Sequence, residues 1–376
     1  MKVCLVVSSP MTVTAFLQQP IRKLATAFEV SVVANLTLGA SIPALDGVAT
    51  VLPVSIERQI SPWRDLLALW CLTQMFRQQQ FDVVHSVTPK AGLIAMLAAR
   101  LAGTPVRIHI YTGQVWVTQR GAFRWLLKSM DKLIARLATK VLADSASQRQ
   151  FLLDEGVVTA EQSSVLACGS ISGVDIARFR PDAAVRARIR QELGIPQDDL
   201  VFLFLGRLNR DKGVLDLARA FAGIAEDYPD AHLLLVGPDE GNLLPALAEL
   251  TAGCAAQVHQ VGYAARPEDY MAAADVFCLP SYREGFGTVV IEAAAAGIPA
   301  IATRIYGVVD AVEEGRTGLL CPPRDIAALQ ACLCEMADDP ARRLQLGAQA
   351  RLRAQADFSS ETVATAWLDY YRRLLT

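Results

Sequence analysis

Residues 281–292 read Ser281-Tyr-Arg-Glu284-Gly285-Phe286-Gly287-Thr288-Val-Val-Ile-Glu292, and they mark a turn from a strand into a helix. The apolar run before them, 274–280, predicts a short buried strand. The residues after it, 288–296, predict a helix that ends at Gly297, with Pro299 beyond it. Because the glycines leave backbone N–H groups open at a helix N-terminus, this turn suits an anion such as a phosphate.

Two carboxylates flank this phosphate-compatible turn. Glu284 lies on the loop, and Glu292 lies about one turn inside the predicted helix. Each carboxylate can accept hydrogen bonds from hydroxyl groups on one side of the phosphate. A diphosphate flanked by two polyols is a sugar nucleotide, which is therefore the ligand that the segment predicts.

A second anion-compatible turn reads Gly206-Arg207-Leu-Asn-Arg-Asp-Lys212-Gly213, between an apolar strand and the helix 214–222. Arginine offers a planar fork to phosphate oxygens, and lysine offers a point charge. Since parallel strands end at a common edge, we expect Arg207 and Lys212 to lie near Glu284. The sequence holds no Asp-x-Asp pair for Mg²⁺. These cations are therefore predicted to stabilise a leaving diphosphate without a metal or other cofactor.

Strands and helices alternate along the whole chain, which predicts an α/β protein with parallel sheets. Gly-x-Gly-x-x-Gly is absent after the first strand, where the turn is Ser8-Ser9-Pro10-Met11, and this argues against a nicotinamide or flavin site. The elements fall into two series on either side of an irregular linker at 169–181. The first has strands at 2–8, 29–35, 82–87, 105–111 and 140–143 and helices at 12–27, 62–80, 89–102, 120–138 and 146–155; the second has strands at 200–205, 231–236, 257–261, 275–279, 299–302 and 318–321.

This order predicts two Rossmann-like, doubly wound domains facing a central cleft at the carboxyl ends of their strands. The first domain is predicted at 1–168, and its excess of basic residues suits an anionic partner. The second, at 169–355, binds the nucleotide sugar. The segment 356–376 is predicted to return as a helix that packs on the first domain.

Composition predicts a globular protein of the reducing cytoplasm. Apolar residues make up 52% of the 376 residues, and the eight cysteines form no CxxC pair. The N-terminus enters a strand without a signal-peptide cleavage region, and the chain has no run of 18 apolar residues. We expect a cytoplasmic protein, in contact with membrane at most peripherally, with no nucleic-acid partner.

Positive charge is concentrated in the first half of the chain. Residues 1–168 contain 16 Lys and Arg against 10 Asp and Glu, a net charge of +6, so the remainder of the −2 chain carries −8. Within 119–140, six basic residues accompany aromatic and aliphatic ones: Arg120, Arg124, Lys128, Lys132, Arg136 and Lys140. Two interpretations stay open, a peripheral contact with the anionic inner-membrane surface and an ordinary solvated helix.

A third helix start is predicted at Thr88-Pro89-Lys90. Thr88 is expected to be the N-cap, with Pro89 at the first helical position. Lys90 is then either a contact for an acceptor or donor phosphate or a plain surface lysine. His85, at the end of the preceding strand, is expected to belong to the core.

These motifs together resemble the retaining family 4 glycosyltransferases of the GT-B fold. The resemblance runs over about 170–355 and rests on Gly206-Arg207, Lys212-Gly213, Pro280 to Gly287, Glu292, and Gly297-x-Pro299. It implies that Arg207 and Lys212 bind the donor diphosphate, that Glu284 binds the sugar hydroxyls, and that Glu292 binds the ribose. It implies further donor contacts from the backbone of Gly206, Gly285, Phe286, Gly287 and Thr288.

The front half is similar to a narrower group of these glycosyltransferases. The similarity rests on His85-Ser-Val-Thr88-Pro-Lys90-Ala-Gly92. That group builds bacterial surface polysaccharides such as lipopolysaccharide O-antigen on a polyprenyl diphosphate, often adding N-acetylhexosamines. The resemblance implies a hexosyltransferase with a UDP-sugar donor and a polyprenyl-diphosphate-linked acceptor, which the domain at 1–168 would bind. Relatives carry a histidine near the sugar, and either His109 or Gln114 occupies that place here.

Two other functions remain open. A UDP-sugar epimerase of the same architecture needs polar groups around the sugar ring and no acceptor groove. A non-catalytic partner in a polysaccharide assembly complex would need no intact anion site. The basic, aromatic front half favours transfer over epimerisation, and the intact residues Arg207, Lys212, Glu284 and Glu292 favour an enzyme over a silent partner.

Overall fold

The computed structural model describes residues 1–36, 41–57 and 61–375. The chain forms two compact units, which we call unit 1 and unit 2. Unit 1 contains Met1–Gly173 and Ser360–Leu375, and unit 2 contains Val174–Ser359.

In the described part of unit 1, seven parallel strands form one sheet, in the order β3-β2-β1-β4-β5-β6-β7. The central strands are rich in β-branched residues and buried on both faces, as parallel strands covered by helices must be. The strands are β1 (Lys2–Val6), β2 (Glu29–Ala34), β3 (Thr50–Pro53), β4 (Val83–Val87), β5 (Val106–Tyr111), β6 (Lys140–Ala143) and β7 (Ser163–Val165).

Helices cover both faces of this sheet. Those of residues 1–173 are α1 (Pro10–Thr12), α2 (Gln18–Leu24), α3 (Pro62–Gln79), α4 (Pro89–Ala102), α5 (Gly121–Leu137) and α6 (Ala146–Asp154). On one face the core joins strand residues to α3, α4 and α5, and on the other it joins them to α2. Helix α4 packs between α3 and α5 and is largely buried.

In residues 174–359, all of which are described, six parallel strands form a sheet in the order β10-β9-β8-β11-β12-β13. The strands are β8 (Leu200–Leu205), β9 (Ala231–Val236), β10 (Val258–Val261), β11 (Val276–Leu279), β12 (Ala300–Thr303) and β13 (Gly318–Cys321). The helices are α7 (Ala183–Leu193), α8 (Val214–Ala222), α9 (Leu244–Leu250), α10 (Pro267–Ala273), α11 (Thr288–Ala295), α12 (Val308–Ala311), α13 (Ile326–Asp338) and α14 (Pro340–Asp357).

Helix α15 (Ser360–Leu375) packs against α2 in unit 1. Its Trp367 and Tyr371 are fully buried in the same core layer as α2. The Trp367 indole donates to the carbonyl of Ile171 at 3.0 Å, and the Tyr371 hydroxyl hydrogen-bonds His85 Nδ1 at 2.7 Å. The helix thereby completes the core of unit 1.

The predicted elements are largely confirmed, with three differences. Strands β3 and β7 were not predicted, because each is short, lies at an edge of the sheet and contains proline or serine rather than a β-branched run. The single helix predicted at 12–27 is wrong in detail: α1 and α2 are joined by a π-helical turn, Val13–Leu17. Among the described residues, no helix combines the length and the apolar character needed to cross a membrane.

Candidate functional site

The two anion-compatible loops follow adjacent strands of unit 2. Strand β8 pairs with β9 on one side and with β11 on the other, so strand order reverses at β8. In doubly wound sheets, ligands bind at the carboxyl edge beside such a reversal. The loop Gly206–Gly213 leaves β8 there, and the loop Pro280–Gly287 leaves β11.

The backbones of these two loops touch at Gly213. Its φ is +67°, and a Cβ atom at this position would lie 2.0 Å from the carbonyl oxygen of Pro280. Only glycine fits both the left-handed backbone and this close approach. The amide of Tyr282 also donates to the carbonyl of Asp211 at 2.8 Å, so a hydrogen bond holds the loops together two residues before Gly213.

This arrangement brings Lys212 and Glu284 together. Lys212 Nζ lies 2.5 Å from Glu284 Oε1, and the Ser281 hydroxyl donates to the same oxygen at 2.8 Å. Both charged side chains are mostly buried, with 20% and 13% of their surface exposed. A lysine paired this closely with one carboxylate offers its remaining N–H donors to a second anion.

Arg207 does not share this pairing. Its guanidinium is 55% exposed and lies 3.0 Å from a carboxylate oxygen of Glu240, in the loop after β9. The structure therefore places one of the two predicted cations against Glu284 and the other against a different loop. Gly206 supports the turn, since its amide donates to the carbonyl of Val236 at 2.9 Å.

Side chains that the sequence analysis missed hold the Glu284 loop to the base of α8. The Tyr282 hydroxyl donates to Asp216 Oδ2 at 2.5 Å, and the guanidinium of Arg324 stacks over the Tyr282 ring at 4.5 Å. Arg283 donates to Asp211 at 3.2 Å. Burial and the nearby Asp216 carboxylate raise the pKa of Tyr282 to about 12, so the hydroxyl stays protonated. The available sequence signal was an acidic residue in the loop after β8, Asp211, and another in the first turn of α8, Asp216, together with the adjacent Tyr282 and Arg283.

The turn before α11 consists mainly of backbone groups and is held in place by one buried side chain, that of Phe286. The predicted helix is confirmed, and its N-cap is Gly287, so no side chain caps the first turn at Thr288. The Phe286 ring is 1% exposed and packs edge-on against Phe358, with centroids 5.2 Å apart. Gly307 lies so close to Gly285 that a Cβ would be 2.3 Å from its carbonyl oxygen. Buried packing thus fixes this glycine-rich turn while its backbone carries the polar groups.

Glu292 lies on α11 beside an ion pair from two other segments. Arg178 donates to Glu268 at 2.7 Å, and both groups act on the Glu292 carboxyl. Burial and then the Glu268 charge raise the pKa of Glu292 to about 7, while Arg178 opposes the increase. The carboxyl is therefore poised to titrate near neutral pH.

In unit 1, the prediction for Thr88 is partly wrong. Pro89 does open α4, but Thr88 makes no side-chain cap bond to it. Its backbone has a φ of +80°, and its hydroxyl instead lies 3.4 Å from that of Ser8, which follows the neighbouring strand β1. Lys90 Nζ lies 2.6 Å from Asp65 Oδ1 on α3.

Both histidines of unit 1 are fully buried. His85 stacks on Trp367 with centroids 4.8 Å apart, so its expected place in the core is confirmed. His109 hydrogen-bonds Ser86 at 2.8 Å, and its ring fills the space above Gly92, where a Cβ would lie 2.4 Å from it. Burial lowers the pKa of each to about 3, so both rings are neutral. Gln114 is also buried, and its amide oxygen accepts from Gln148 at 3.3 Å.

Comparisons with known proteins agree with this geometry. The family model described as "Glycosyl transferases group 1" matches residues 185–353, and a "Glycosyl transferase 4-like domain" model matches residues 13–169. A D-inositol 3-phosphate glycosyltransferase of Pseudarthrobacter chlorophenolicus is 30% identical over 320 residues, which is 80% of this chain and 73% of that one. The chain belongs to the group 1 glycosyl transferases.

Two further relatives are similar over most of their length. The capsular polysaccharide biosynthesis glycosyltransferase CapM of Staphylococcus aureus is 29% identical, over 84% of this chain and 82% of that one. The UDP-Gal:alpha-D-GlcNAc-diphosphoundecaprenol alpha-1,3-galactosyltransferase of Escherichia coli is 27% identical, over 78% of this chain and 76% of that one.

Solved structures establish the predicted GT-B fold. HepE of Anabaena in complex with UDP superposes with a TM-score of 0.80 at 20% identity, over 100% of this chain and 99% of that one. A sucrose-phosphate synthase of Thermosynechococcus elongatus gives a TM-score of 0.83 at 25% identity, over 100% and 99%. The two sheets described above are the two Rossmann-like domains of this fold.

Proposed function

We propose that this glycosyltransferase moves a sugar, an N-acetylhexosamine, from a UDP-sugar to a polyprenyl-diphosphate-linked saccharide, with retention at the anomeric carbon. The observation that carries the donor site is the Lys212–Glu284 pair at the strand-order reversal of unit 2. Support for the substrates comes from the relatives: one solved neighbour binds UDP, and the Escherichia coli relative is named for a diphosphoundecaprenol acceptor. The capsular relative supports a place in surface polysaccharide synthesis.

In this proposal, donor binding divides the Lys212–Glu284 pair between two parts of one ligand. Lys212 turns to the diphosphate, and Glu284 accepts hydrogen bonds from the sugar hydroxyls. Arg207 and the backbone at the start of α11 add positive potential beside the same phosphates, while Glu292 binds the ribose. Because negative charge grows on UDP as the glycosidic bond breaks, these fixed groups stabilise the transition state more than the bound donor.

The proposed chemistry needs no protein nucleophile and no metal. The bond from the anomeric carbon to UDP breaks to give an oxocarbenium-like ion pair, and the acceptor hydroxyl attacks from the face that UDP leaves. A donor phosphate oxygen takes the proton of that hydroxyl. The buried, neutral His109 and the buried Gln114 then shape unit 1 rather than transfer a proton.

The test is transfer from a panel of UDP-sugars to a polyprenyl-diphosphate-linked saccharide, in the presence of EDTA. We expect one UDP-sugar to be consumed and an α-linked product to form, as read by NMR of the anomeric proton. Turnover of the UDP-sugar without acceptor would instead indicate an epimerase. A strict requirement for Mg²⁺ would contradict the roles given to Arg207 and Lys212.

We also propose that the enzyme works at the cytoplasmic face of the inner membrane, where such an acceptor is held. The predicted basic helix is α5, but two of its cations are engaged within unit 1. Arg124 and Lys128 lie 3.3 and 2.5 Å from Glu155 and stack over the Trp116 ring. The exposed Arg120 and Arg136 remain directed to solvent.

A further inference from the structure

Helix α3 exposes a continuous apolar face that the sequence analysis did not identify. Trp63, Leu66, Leu67 and Trp70, which we call the α3 stripe, are 80%, 56%, 62% and 62% exposed. Their spacing of three and four residues places them on one side of the helix. The opposite side, at Leu72 and Phe76, is buried in the core of unit 1. Helix α3 is therefore apolar on both its inner and its outer face.

Helix α5 also exposes large apolar residues, on the same face of the sheet as the α3 stripe. Both α3 and α5 pack on α4, on the same face of the sheet. On α5, Phe123, Trp125 and Leu126 are 51%, 71% and 47% exposed. Two large exposed tryptophans with leucines between them exceed the scattered apolar residues of an ordinary surface, and such patches mark interaction sites.

The charge of these two helices indicates the partner. The acidic residue of α3, Asp65, pairs with Lys90, and that of α5, Asp131, is buried and accepts from the Trp116 indole at 2.7 Å. Arg64 pairs with Glu57, and the exposed Arg77 and Arg136 give the two helices a positive surface charge. Apolar and aromatic side chains with basic neighbours complement the headgroup boundary of an anionic bilayer.

We propose that the α3 stripe inserts into the interface of an anionic lipid bilayer and is the principal membrane contact of unit 1. The tryptophans, with an apolar ring and an indole N–H, suit the boundary between acyl chains and headgroups. The inference deepens the proposed function and rests on it, because it presents the enzyme to a lipid-linked acceptor. Membrane insertion does not require the UDP-sugar donor, so insertion and the proposed transfer can be tested separately.

The experiment is flotation of the full chain with vesicles of phosphatidylglycerol and phosphatidylcholine in equal amounts, and with phosphatidylcholine alone. We expect the protein to float with the anionic vesicles. The variant Trp63→Ser/Trp70→Ser is expected to lose at least about tenfold in its partition coefficient. Leu344→Ser/Leu352→Ser is the matched control, since these residues of α14 in unit 2 are 74% and 60% exposed.

A second pair of variants separates insertion from misfolding. Trp63→Phe/Trp70→Phe keeps the apolar face and is expected to float, and all variants are expected to keep the thermal shift with UDP in the absence of vesicles. The proposal is overturned if the Ser variant floats as well as the unchanged protein, or if the unchanged protein binds neither vesicle. It is also overturned if sedimentation shows a dimer that the Ser variant converts to monomer, because the α3 stripe then serves a second copy. If UDP does not shift the thermal midpoint of the unchanged protein, the proposed function is contradicted. Flotation with the anionic vesicles would still test membrane insertion independently.

Discussion

Lys212 Nζ lies 2.5 Å from Glu284 Oε1, although 71 residues separate the two in the sequence. The contact joins the loops that leave β8 and β11, and Ser281 donates to the same carboxylate oxygen. Removal of the lysine leaves a mostly buried carboxylate with a hydroxyl as its neighbour. The pair therefore couples the stability of the loops to the proposed donor site.

Lys212→Ala is expected to abolish the thermal shift with UDP and to lower kcat by about 10²–10³, because the leaving diphosphate loses its nearest fixed cation. The measurement is transfer from the UDP-sugar that the donor panel selects, with circular dichroism to establish folding. Arg316→Ala is the control, since it removes an exposed cation of unit 2 that pairs with nearby Glu313. Unchanged kcat in folded Lys212→Ala would contradict the assigned role.

Gly213→Ala is expected to destabilise unit 2 by about 2–4 kcal/mol, because the new methyl group collides with the Pro280 carbonyl in a left-handed backbone. Chemical denaturation measures the loss. Gly194→Ala isolates the backbone effect: φ there is +69°, and nothing lies within 4 Å of the added atom. This control is expected to cost only about 1 kcal/mol. Equal losses in the two variants would show that the loops separate easily.

Tyr282→Phe is expected to lower the free energy of unfolding by about 1–2 kcal/mol, because it leaves the buried Asp216 carboxylate without the donor at 2.5 Å. Since the ring and its stacking with Arg324 remain, the fold should persist. Tyr228→Phe provides the comparison: its hydroxyl donates to Asp338 at 2.8 Å in an exposed position. We expect Tyr228→Phe to have almost no effect on stability. A larger loss of stability in Tyr228→Phe than in Tyr282→Phe would refute the role of the Tyr282 hydroxyl in holding its loop to α8.

Glu292 is expected to make unit 2 less stable as pH rises. Its pKa in the folded protein is about 7, above the ordinary 4.5, so the folded state binds more protons between these values. By linkage, this contribution is greatest below pH 4.5 and is lost as pH rises through 7. Glu292→Gln should remove this loss, of about 1–3 kcal/mol. Denaturation at pH 5 and pH 8 measures the change in the free energy of unfolding. The same change in the unchanged protein and in Glu292→Gln would refute the prediction. Glu335→Gln, at an exposed carboxylate on α13, is the control.

The sheet and its two loops could be predicted from local patterns, because apolar runs and glycine turns fix strands and helix starts. The same patterns place Lys212 and Glu284 at one edge of the sheet, but not in contact. That contact depends on the approach of Gly213 to Pro280, which no local pattern encodes.

Features built from distant segments escaped prediction for the same reason. Thr88 was expected to cap α4, yet its hydroxyl faces Ser8, which a remote strand brings to it. The carboxyl of Glu292 takes its environment from Arg178 and Glu268, which lie 114 and 24 residues away along the chain. The α3 stripe was missed because an apolar helix in sequence does not reveal which of its faces the core uses.

The return of α15 to unit 1 has a consequence for the order in which the protein folds during synthesis. Unit 2 is one continuous segment, whereas unit 1 lacks Trp367 and Tyr371 until the ribosome has passed unit 2. One face of the unit 1 sheet therefore stays incompletely covered during synthesis, while unit 2 is already able to fold. The half of the chain that is made first is expected to be the last to reach its native state.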